Sequence, residues 1–320
     1  GHNLEAAVVN HVIENWHGEK ACILTHTNHE ALRVMGLLKE KGLKAKLIQS
    51  NEGFNLYDIA GMRFFIKQTE KEEHTPVVSD KVWEDAVSKL KTVYKSSTAL
   101  PLILKMLETF SSVNKVRYRS DFIEFVNESK IEDFFENDKG TITVSTIHKS
   151  KGREFDSVYM LLSENTNLYD EKTKRAVYVG FTRAKQALYV HYVNDLLDRF
   201  KLSGAEYSFD SRYYKGPGRI MLELGHKDVY LDFFKGKKKE ILMLQSGTKL
   251  TYSNGSLYAY TNGRSTEVAC ISKKANDALD SLHSKGYKVT ESQIRFVVAW
   301  KGEGDDEESA IILPDLHLER

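Results

Sequence analysis

The sequence is poor in the features that mark several large classes of protein. It has only two cysteines in 320 residues, Cys22 and Cys270, each within an apolar run. Two isolated thiols cannot build a disulfide framework or a CxxC metal site, so we expect two buried cysteines in a reducing compartment. No apolar run approaches the roughly 18 residues of a membrane span, and the first residues lack the pattern of a signal peptide. We therefore expect a cytoplasmic protein that does not associate with membranes.

An excess of charge of one sign is also absent. The chain has 46 Lys and Arg against 45 Asp and Glu. This balance excludes binding to nucleic acid through bulk positive charge, so any basic surface must be local. The hydrophobic content is 41%, and a chain of this length can bury a sizeable core. These values predict a globular protein of two or three domains.

Strand and helix patterns at two separate places predict one α/β domain. The run Lys20–Thr25 indicates a strand, and Ala31–Lys41, which follows it, has helical spacing before a second strand. The same alternation resumes after residue 139, with three β-rich runs and a helix over Glu171–Phe181. We therefore predict a parallel sheet whose two parts lie in residues 1–54 and 140–202.

The other residues divide into an insertion, a linker and a β-rich tail. Helical spacing dominates residues 55–139 and predicts an all-α insertion into the sheet domain. Residues 203–218 are rich in Ser, Gly and Tyr, which indicates a linker. Short strands separated by turn signals predict a small β-barrel-like domain over residues 219–320.

Local signals give more detail within this tail. The dipeptides Asn254-Gly255 and Asn262-Gly263 predict hairpin turns. The runs DVYLDFF and EILMLQ (residues 228–234 and 240–245) are among the predicted strands, and Lys273–Lys285 is a predicted helix. The cluster FFKGKKKE (Phe233–Glu240) joins the two predicted strands and places lysines beside aromatic rings. This composition fits either a contact with DNA or a solvated turn.

Two segments of the predicted sheet domain are dense in polar groups. The first, TVSTIHKSKGREFDSVY (Thr143–Tyr159), is a strand whose polar residues follow its carboxyl end, where open α/β sheets bind ligands. The second, YVGFTRAK (Tyr178–Lys185), presents Arg183, whose planar guanidinium suits a phosphate. Taken singly, the first also fits an ordinary polar loop, and the second also fits a surface salt bridge.

In this order the two segments, TxHxxKGxEF and then YVxxTRA, resemble the fifth and sixth motifs of UvrD-like superfamily 1 DNA helicases. The region ACILTHTNHEALRVMGLLKEKGLKAKLI also resembles a strand and helix of that family, with His26 where the family commonly has Arg. We therefore assign His26 no nucleotide contact. RecD- and Pif-like helicases typically have SQG where this chain has Ser150-Lys151-Gly152, so Lys151 favours the UvrD-like family. The resemblance covers about residues 20–200 and implies a RecA-like (P-loop NTPase-like) second motor domain followed by a Tudor-like barrel.

The resemblance implies three residues that face ATP. Arg183 would act as an arginine finger on the γ-phosphate, Glu154 would accept a hydrogen bond from the ribose, and Gly152 would allow close approach of the backbone to the nucleotide. The chain has no GxxxxGK[ST] loop and no strand ending in paired acids. We therefore expect ATP with Mg²⁺ to be held by a missing N-terminal motor domain of the same polypeptide, and the fragment alone to be inactive. No metal ligands are predicted in the chain itself.

The resemblance also implies contacts with DNA. Thr146 and His148 would face the backbone of single-stranded DNA, and Lys151 would raise the local positive potential. Tyr178 and Thr182 would hold the loop that carries the arginine finger. The partners implied are single-stranded DNA, DNA junctions and a protein that docks on the C-terminal barrel.

Two other interpretations remain open at this stage. A relic motor half could serve as a non-catalytic scaffold for nucleic acid or protein, and a helicase-nuclease of the RecB and AddA kind would share both motifs. The second would need a nuclease site in the tail, for which Asp232 followed by Lys235 is a weak match. The short helical insertion also leaves open translocation with weak unwinding, because the family's larger subdomain contacts duplex DNA.

Overall fold

The structure is a computed structural model that describes residues 3–48, 54–70, 75–134, 140–164, 166–197, 204–261 and 263–320. Its α-helices, in chain order, are α1 (Leu4–Asn15), α2 (Asn28–Glu40), α3 (Ala60–Thr69), α4 (Asp80–Val93), α5 (Leu100–Val113), α6 (Arg119–Glu128), α7 (Glu171–Phe181), α8 (Lys238–Leu242) and α9 (Lys273–Ser284). Its strands are β1 (Ala21–Thr25), β2 (Ala45–Leu47), β3 (Ile142–Thr146), β4 (Phe155–Leu162), β5 (Ala184–Tyr192), β6 (Arg219–Glu223), β7 (Lys249–Ser253), β8 (Ser256–Thr261), β9 (Arg264–Cys270), β10 (Lys288–Trp300) and β11 (Ser309–Glu319). The chain divides into two compact units, residues 1–49 with 135–221 and residues 50–134 with 222–320.

The first unit contains the predicted parallel sheet. Its strand order is β2-β3-β1-β4-β5, so β3, which follows the insertion, lies between the two strands that precede it. Central strand β1 pairs in parallel with β3 and with β4, and all five of its residues are buried. A continuous apolar run is typical of a parallel strand covered on both faces. The α/β architecture and the continuation of the sheet after the insertion are confirmed.

Helices cover the two faces of this sheet. On one face, α1 and α2 bury Val8, Val12, Val34 and Leu38 against Tyr159 and its neighbours. On the other, α7 buries Ala176 and Val177 against Cys22 and Met160. Helix α1, capped by the Asn3 side chain, lies in a region to which the sequence assigned no element. Cys22 is fully buried as predicted, and burial raises the pKa of its thiol.

The second unit combines helices α3 to α6 with an antiparallel sheet. The helices enclose an aromatic cluster of Phe65, Trp83, Phe110 and Phe122, with ring centroids between 4.9 and 6.1 Å apart. The sheet has the order β6-β11-β10-β7-β8-β9. The predicted hairpin turn between β7 and β8 is present, with positive φ at Asn254 (48°) and Gly255 (81°), as a tight turn requires.

Residues 55–134 and 222–320, which lie in segments that the sequence predicted to be separate domains, share this second unit. Ile59 forms a bridge with Val298, and the rings of Phe54 and Phe296 lie 5.4 Å apart. The Arg63 guanidinium lies 2.6 Å from Glu308. Backbone and side-chain hydrogen bonds join the same two segments, because Thr98 N–H donates to Ser246 O and Gln245 Nε2 donates to Val93 O. The helical insertion therefore packs as one body with the C-terminal sheet.

Several local predictions need correction or fall on residues that are not described. Leu231–Phe234 is a 3₁₀ turn and Lys238–Leu242 is a helix, although both runs were predicted as strands. Short apolar runs do not distinguish strand from helix, and Lys, Glu, Ile and Leu suit a helical turn. Cys270 is only partly buried, and its thiol donates to Glu267 Oε1 at 3.3 Å. Asn262 of the second predicted hairpin turn lies outside the described residues, as do residues 139, 202 and 203 at two predicted domain boundaries.

Candidate functional site

The first of the two polar segments runs from one end of the parallel sheet to the other. Strand β3 ends at Thr146, and β4, which is parallel to it on the other side of β1, begins at Phe155. The eight residues between them therefore cross from the carboxyl end of the sheet to its amino end. As a result, Thr146 and His148 lie at the carboxyl end, whereas Glu154 lies at the amino end.

Arg183 lies at the amino end, directly before β5, and its guanidinium is held within the first unit. Nε donates to the Val179 carbonyl oxygen at 2.9 Å, and Nη2 donates to Thr182 Oγ1 at 2.9 Å. Nη1 donates to the Arg153 carbonyl oxygen at 3.3 Å. The last turn of α7 and the residue before Glu154 thus fix the direction of this side chain.

Glu154 and Gly152 complete the amino end. The Glu154 carboxylate is about half exposed and lies 3.2 Å from Lys185 Nζ. The two motifs meet through the backbone here, because Phe155 N–H donates to Arg183 O at 2.9 Å. Gly152 has φ +81°, in the left-handed region that favours glycine, and a Cβ added there would meet no described atom within 4 Å. Its backbone therefore lies open to a ligand.

At the carboxyl end, the predicted residues differ in exposure. Thr146 is only 6% exposed, whereas His148 and Lys151 are exposed. Lys149 Nζ donates to Asn28 Oδ1 at 3.0 Å and so joins this segment to the first residue of α2, which follows the turn after β1. His26, in that same turn, has a buried Nδ1 without a hydrogen-bond partner. His148 and Lys151 are the predicted DNA-facing side chains that a ligand can reach directly.

A groove of about 560 Å³ runs between this segment and α7. Its floor is apolar, and its rim is mostly basic. The floor consists of Ile147, Ala176 and Val179, and the rim of His148, Lys151, Asp170, Glu171, Lys172 and Arg175.

The two acids of the rim are engaged by their own helix. Asp170 caps α7 by accepting from the Thr173 N–H and hydroxyl, each at 2.8 Å, and these hydrogen bonds lower the pKa of Asp170. Lys174 donates to Glu171 at 2.7 Å and lowers the pKa of that carboxyl. Both carboxyl groups therefore stay ionised, and the three cations of the rim, Lys151, Lys172 and Arg175, exceed these two anions by one.

Helix α7 carries parts of both ends of the site, and it lies close to the sheet. A Cβ at Gly180 would lie 2.8 Å from Met160 Cε, so the small residue permits this close approach of helix to β4. The Thr182 hydroxyl accepts from Arg183 and donates to Val179 O at 2.9 Å. Tyr178 is 69% exposed, and the three hydrogen bonds of the Arg183 side chain go to other residues.

Sequence reasoning missed Lys172, Arg175 and Lys185. The first two lie one turn apart on α7, on the face that also carries Val179, so helical periodicity could have identified them. No sequence signal could have paired Lys185 with Glu154, because their contact depends on the register between β4 and β5.

The basic cluster of the tail is largely occupied by contacts within the second unit. Lys235 pairs with Asp232 at 2.7 Å and with Asp305 at 3.5 Å, and Lys238 pairs with Glu308 at 3.0 Å. Lys237 Nζ lies 3.3 Å from the centroid of the Phe233 ring. These contacts favour the structural interpretation of the cluster over a contact with DNA.

Metal sites and membrane spans are both absent from the described part of the chain. No cluster of three or more His, Cys, Asp or Glu side chains there could hold a metal ion. None of the helices in the described ranges is long and apolar enough to cross a membrane.

Residues 66–195 match the UvrD-like helicase C-terminal domain family. The chain is 25% identical over 150 residues to the ATP-dependent DNA helicase Rep of Buchnera aphidicola, covering 40% of this chain and 21% of the relative. It is 29% identical over 149 residues to a probable DNA helicase II homolog of Rickettsia conorii (42% and 22%), and 25% identical over 241 residues to the ATP-dependent DNA helicase PcrA of Leuconostoc citreum (66% and 30%).

The chain thus spans between about a fifth and a third of the length of these relatives. The matched range includes both motifs, from the loop after β3 to the end of β5. The motifs and the family match therefore agree, since both show that this chain is similar to the C-terminal part of UvrD-like helicases.

Proposed function

We propose that the chain is the C-terminal motor part of an ATP-dependent DNA helicase or translocase. In this proposal an N-terminal motor domain of the same polypeptide holds ATP with Mg²⁺. Arg183 is the arginine finger, Glu154 accepts a hydrogen bond from the ribose, and the backbone at Gly152 borders the nucleotide. The bound nucleotide supplies the transferable γ-phosphoryl group, and this chain supplies positive charge and orientation at its edge.

The observation that carries the proposal is the meeting of the two motifs at one end of the sheet. Arg183 Nη1 donates to Arg153 O, and Phe155 N–H donates to Arg183 O. Glu154 and Arg183 directly precede the neighbouring strands β4 and β5. A guanidinium and a carboxylate on the same edge suit a ligand that has both a phosphate and a hydroxyl group. The fixed guanidinium also supports the role of a finger, because a preorganised donor needs no rearrangement during the reaction.

We further propose that the groove beside α7 is part of the track for single-stranded DNA. His148 and Lys151 on its rim can donate to phosphate oxygens, and Thr146, at the end of β3, directly precedes the floor residue Ile147. The apolar floor of Ile147 and Val179 suits the face of a base, while phosphate contacts carry no sequence information. A track of this kind serves movement along DNA of any sequence.

The test of the nucleotide role is the DNA-stimulated ATPase of the full-length protein and its Arg183→Ala variant. Loss of the finger should lower kcat by about 10³-fold or more, with binding of single-stranded DNA retained. Arg264→Ala, at an exposed arginine of β9 in the second unit, is the matched control and should leave turnover unchanged. Unchanged turnover in Arg183→Ala would contradict the proposal and favour the non-catalytic scaffold.

A further inference from the structure

We propose that Lys185 is a positioning residue, which holds the Glu154 carboxylate in the orientation that accepts the ribose hydroxyl of ATP. The inference rests on the proposed function and extends it to a residue outside the two motifs as the family defines them. Two independent observations support it, the contact between the two side chains and an irregularity in the pairing of β4 with β5.

The contact leaves Glu154 free to bind a ligand. Lys185 Nζ lies 3.2 Å from Oε2 of Glu154. A carboxylate has two oxygens and about four lone-pair directions, so a single ammonium contact leaves the other oxygen available to a hydroxyl donor. Lys185 therefore restricts the rotamers of Glu154 without filling its binding capacity.

The irregularity is a bulge in β5 at Lys185 itself. Phe155 pairs with Ala184, but Ser157 pairs with Ala187, so two residues of β5, Lys185 and Gln186, stand opposite the single residue Asp156. A bulge of this kind redirects a side chain, and bulges occur often beside active sites. Lys185 is the first of these two residues, and its ammonium group lies 3.2 Å from Glu154, the residue that directly precedes β4.

The position of the pair adds a functional reason. Lys185 follows Arg183 by two residues, and the two side chains engage Glu154 and the carbonyl group of Arg153, which are neighbours in sequence. The start of β5 thus fixes the nucleotide-facing end of the first motif through two cations. Arg183 has its guanidinium directed by three hydrogen bonds, while Glu154 has Lys185 as its charged partner.

The test is the steady-state ATPase of the full-length protein with ATP, 2′-deoxyATP and 3′-deoxyATP, in the presence of saturating single-stranded DNA. In wild type, the analogue that lacks the accepted hydroxyl should have the higher KM. Lys185→Ala should raise KM for ATP about two- to fivefold, as expected for a half-exposed ion pair, and leave kcat nearly unchanged. It should also reduce the discrimination between ATP and that analogue. Lys185→Arg should restore the KM for ATP and the discrimination against the analogue.

A double-mutant cycle separates positioning from a general loss of structure. Because Lys185 acts through Glu154, the double variant Glu154→Ala/Lys185→Ala should have the same KM as Glu154→Ala alone. Lys105→Ala is the matched control, since it breaks another exposed Lys–Glu pair, with Glu108 at 3.3 Å in the helical segment. It should change neither KM nor the discrimination.

The outcomes distinguish this inference from the proposed function. If neither Arg183→Ala nor Glu154→Ala changes the ATPase, or if wild type treats the three nucleotides alike, the assignment of the nucleotide site is wrong. If Glu154→Ala raises KM while Lys185→Ala leaves it unchanged or lowers it, the positioning role of Lys185 is wrong and the site assignment stands. Additive effects in the double variant would also overturn the positioning role.

Discussion

The two ends of the parallel sheet differ in how their functional side chains are held. At the amino end, Arg183 and Glu154 are engaged by neighbours within the same unit. At the carboxyl end, the acids of the groove are engaged, and the basic side chains face an open cavity. The difference indicates that function at the amino end depends on the orientation of single side chains, whereas function at the carboxyl end depends on the total positive charge of the groove. Substitutions that keep charge but change shape should therefore affect the two ends unequally.

The largest effect of a charge-conserving change is expected at Arg183. Arg183→Lys keeps the positive charge but removes the planar fork and the three hydrogen bonds that direct it, so we expect kcat of the full-length ATPase to fall about 10²-fold. The comparison predicts that Lys151→Arg, the reverse change in the groove, leaves affinity for single-stranded DNA within about twofold. If Arg183→Lys and Lys151→Arg were equally well tolerated, the contrast between side-chain orientation at one end and total charge at the other would be wrong.

A second effect is expected at the carboxyl end of β5, where His191 Nε2 lies 2.8 Å from His11 Nδ1. Burial, and then the neighbouring His11, lower the pKa of His191 to about 4. The unfolded chain, with an ordinary histidine pKa near 6.5, binds the proton first as pH falls. The pair is therefore fully stabilising above about pH 6.5 and loses stability between about pH 6.5 and 4, by up to about 1.4 kcal/mol per pH unit.

Hydrogen exchange of the β5 amides at pH 7 and pH 5, corrected for intrinsic rates, measures this decrease in stability. Other groups around the pair include Glu14, Asp210 and Arg212, whose charges also act on His11. Substitution His191→Gln removes the titrating ring but keeps a hydrogen-bonding side chain, and it should flatten the pH dependence of protection. If the variant and wild type lose protection in parallel, another group is responsible.

A third, smaller effect is expected in the groove. The double variant Lys151→Ala/Arg175→Ala removes two cations from its rim, and we expect affinity for single-stranded DNA to fall about tenfold. The slope of log affinity against log salt should also decrease by about 0.7 for each phosphate that the variant no longer neutralises. Fluorescence anisotropy with an oligonucleotide over a range of salt measures both quantities. Lys39→Ala, at the exposed end of α2, is the control, and an unchanged slope in the double variant would place the DNA elsewhere.

The smallest effect is expected at Thr182, whose hydroxyl accepts from Arg183 Nη2. Thr182→Ala removes one of the three bonds that direct the guanidinium, so kcat should fall about fivefold, in line with one hydrogen bond. Thr182→Ser keeps the hydroxyl and should retain near wild-type turnover. A decrease of the same size in both variants would indicate that the methyl group, and not the hydrogen bond, matters.

Regular periodicity made much of the first unit predictable. The helix Glu171–Phe181 has the predicted bounds, and β3 and β4 lie where their β-branched and apolar runs indicated. The exposure of Thr146 was not predictable, because it depends on the strands that flank β3. The Lys185 contact was likewise hidden, since it arises from a one-residue irregularity between strands rather than from spacing along the chain.

The second unit shows where reading along the sequence fails. Contacts such as Phe54 with Phe296 and Arg63 with Glu308 join residues far apart in sequence, and no local sequence pattern predicts them. Local patterns suggested two domains there, because the first segment has helical spacing and the second has strands. Packing of one against the other decides the boundary, and only the three-dimensional structure reveals it.

The division of each unit into two stretches of chain has a consequence for synthesis on the ribosome. Residues 50–134 are made well before residues 222–320, with which they share one body, and β1 is made long before β3 and β4, which flank it. Neither unit can complete its core from its first stretch alone. The growing chain therefore carries two unfinished cores until residues 135–221 have been made, and the second core stays unfinished until the last strands follow. This order lengthens the interval in which chaperones can bind exposed apolar surface.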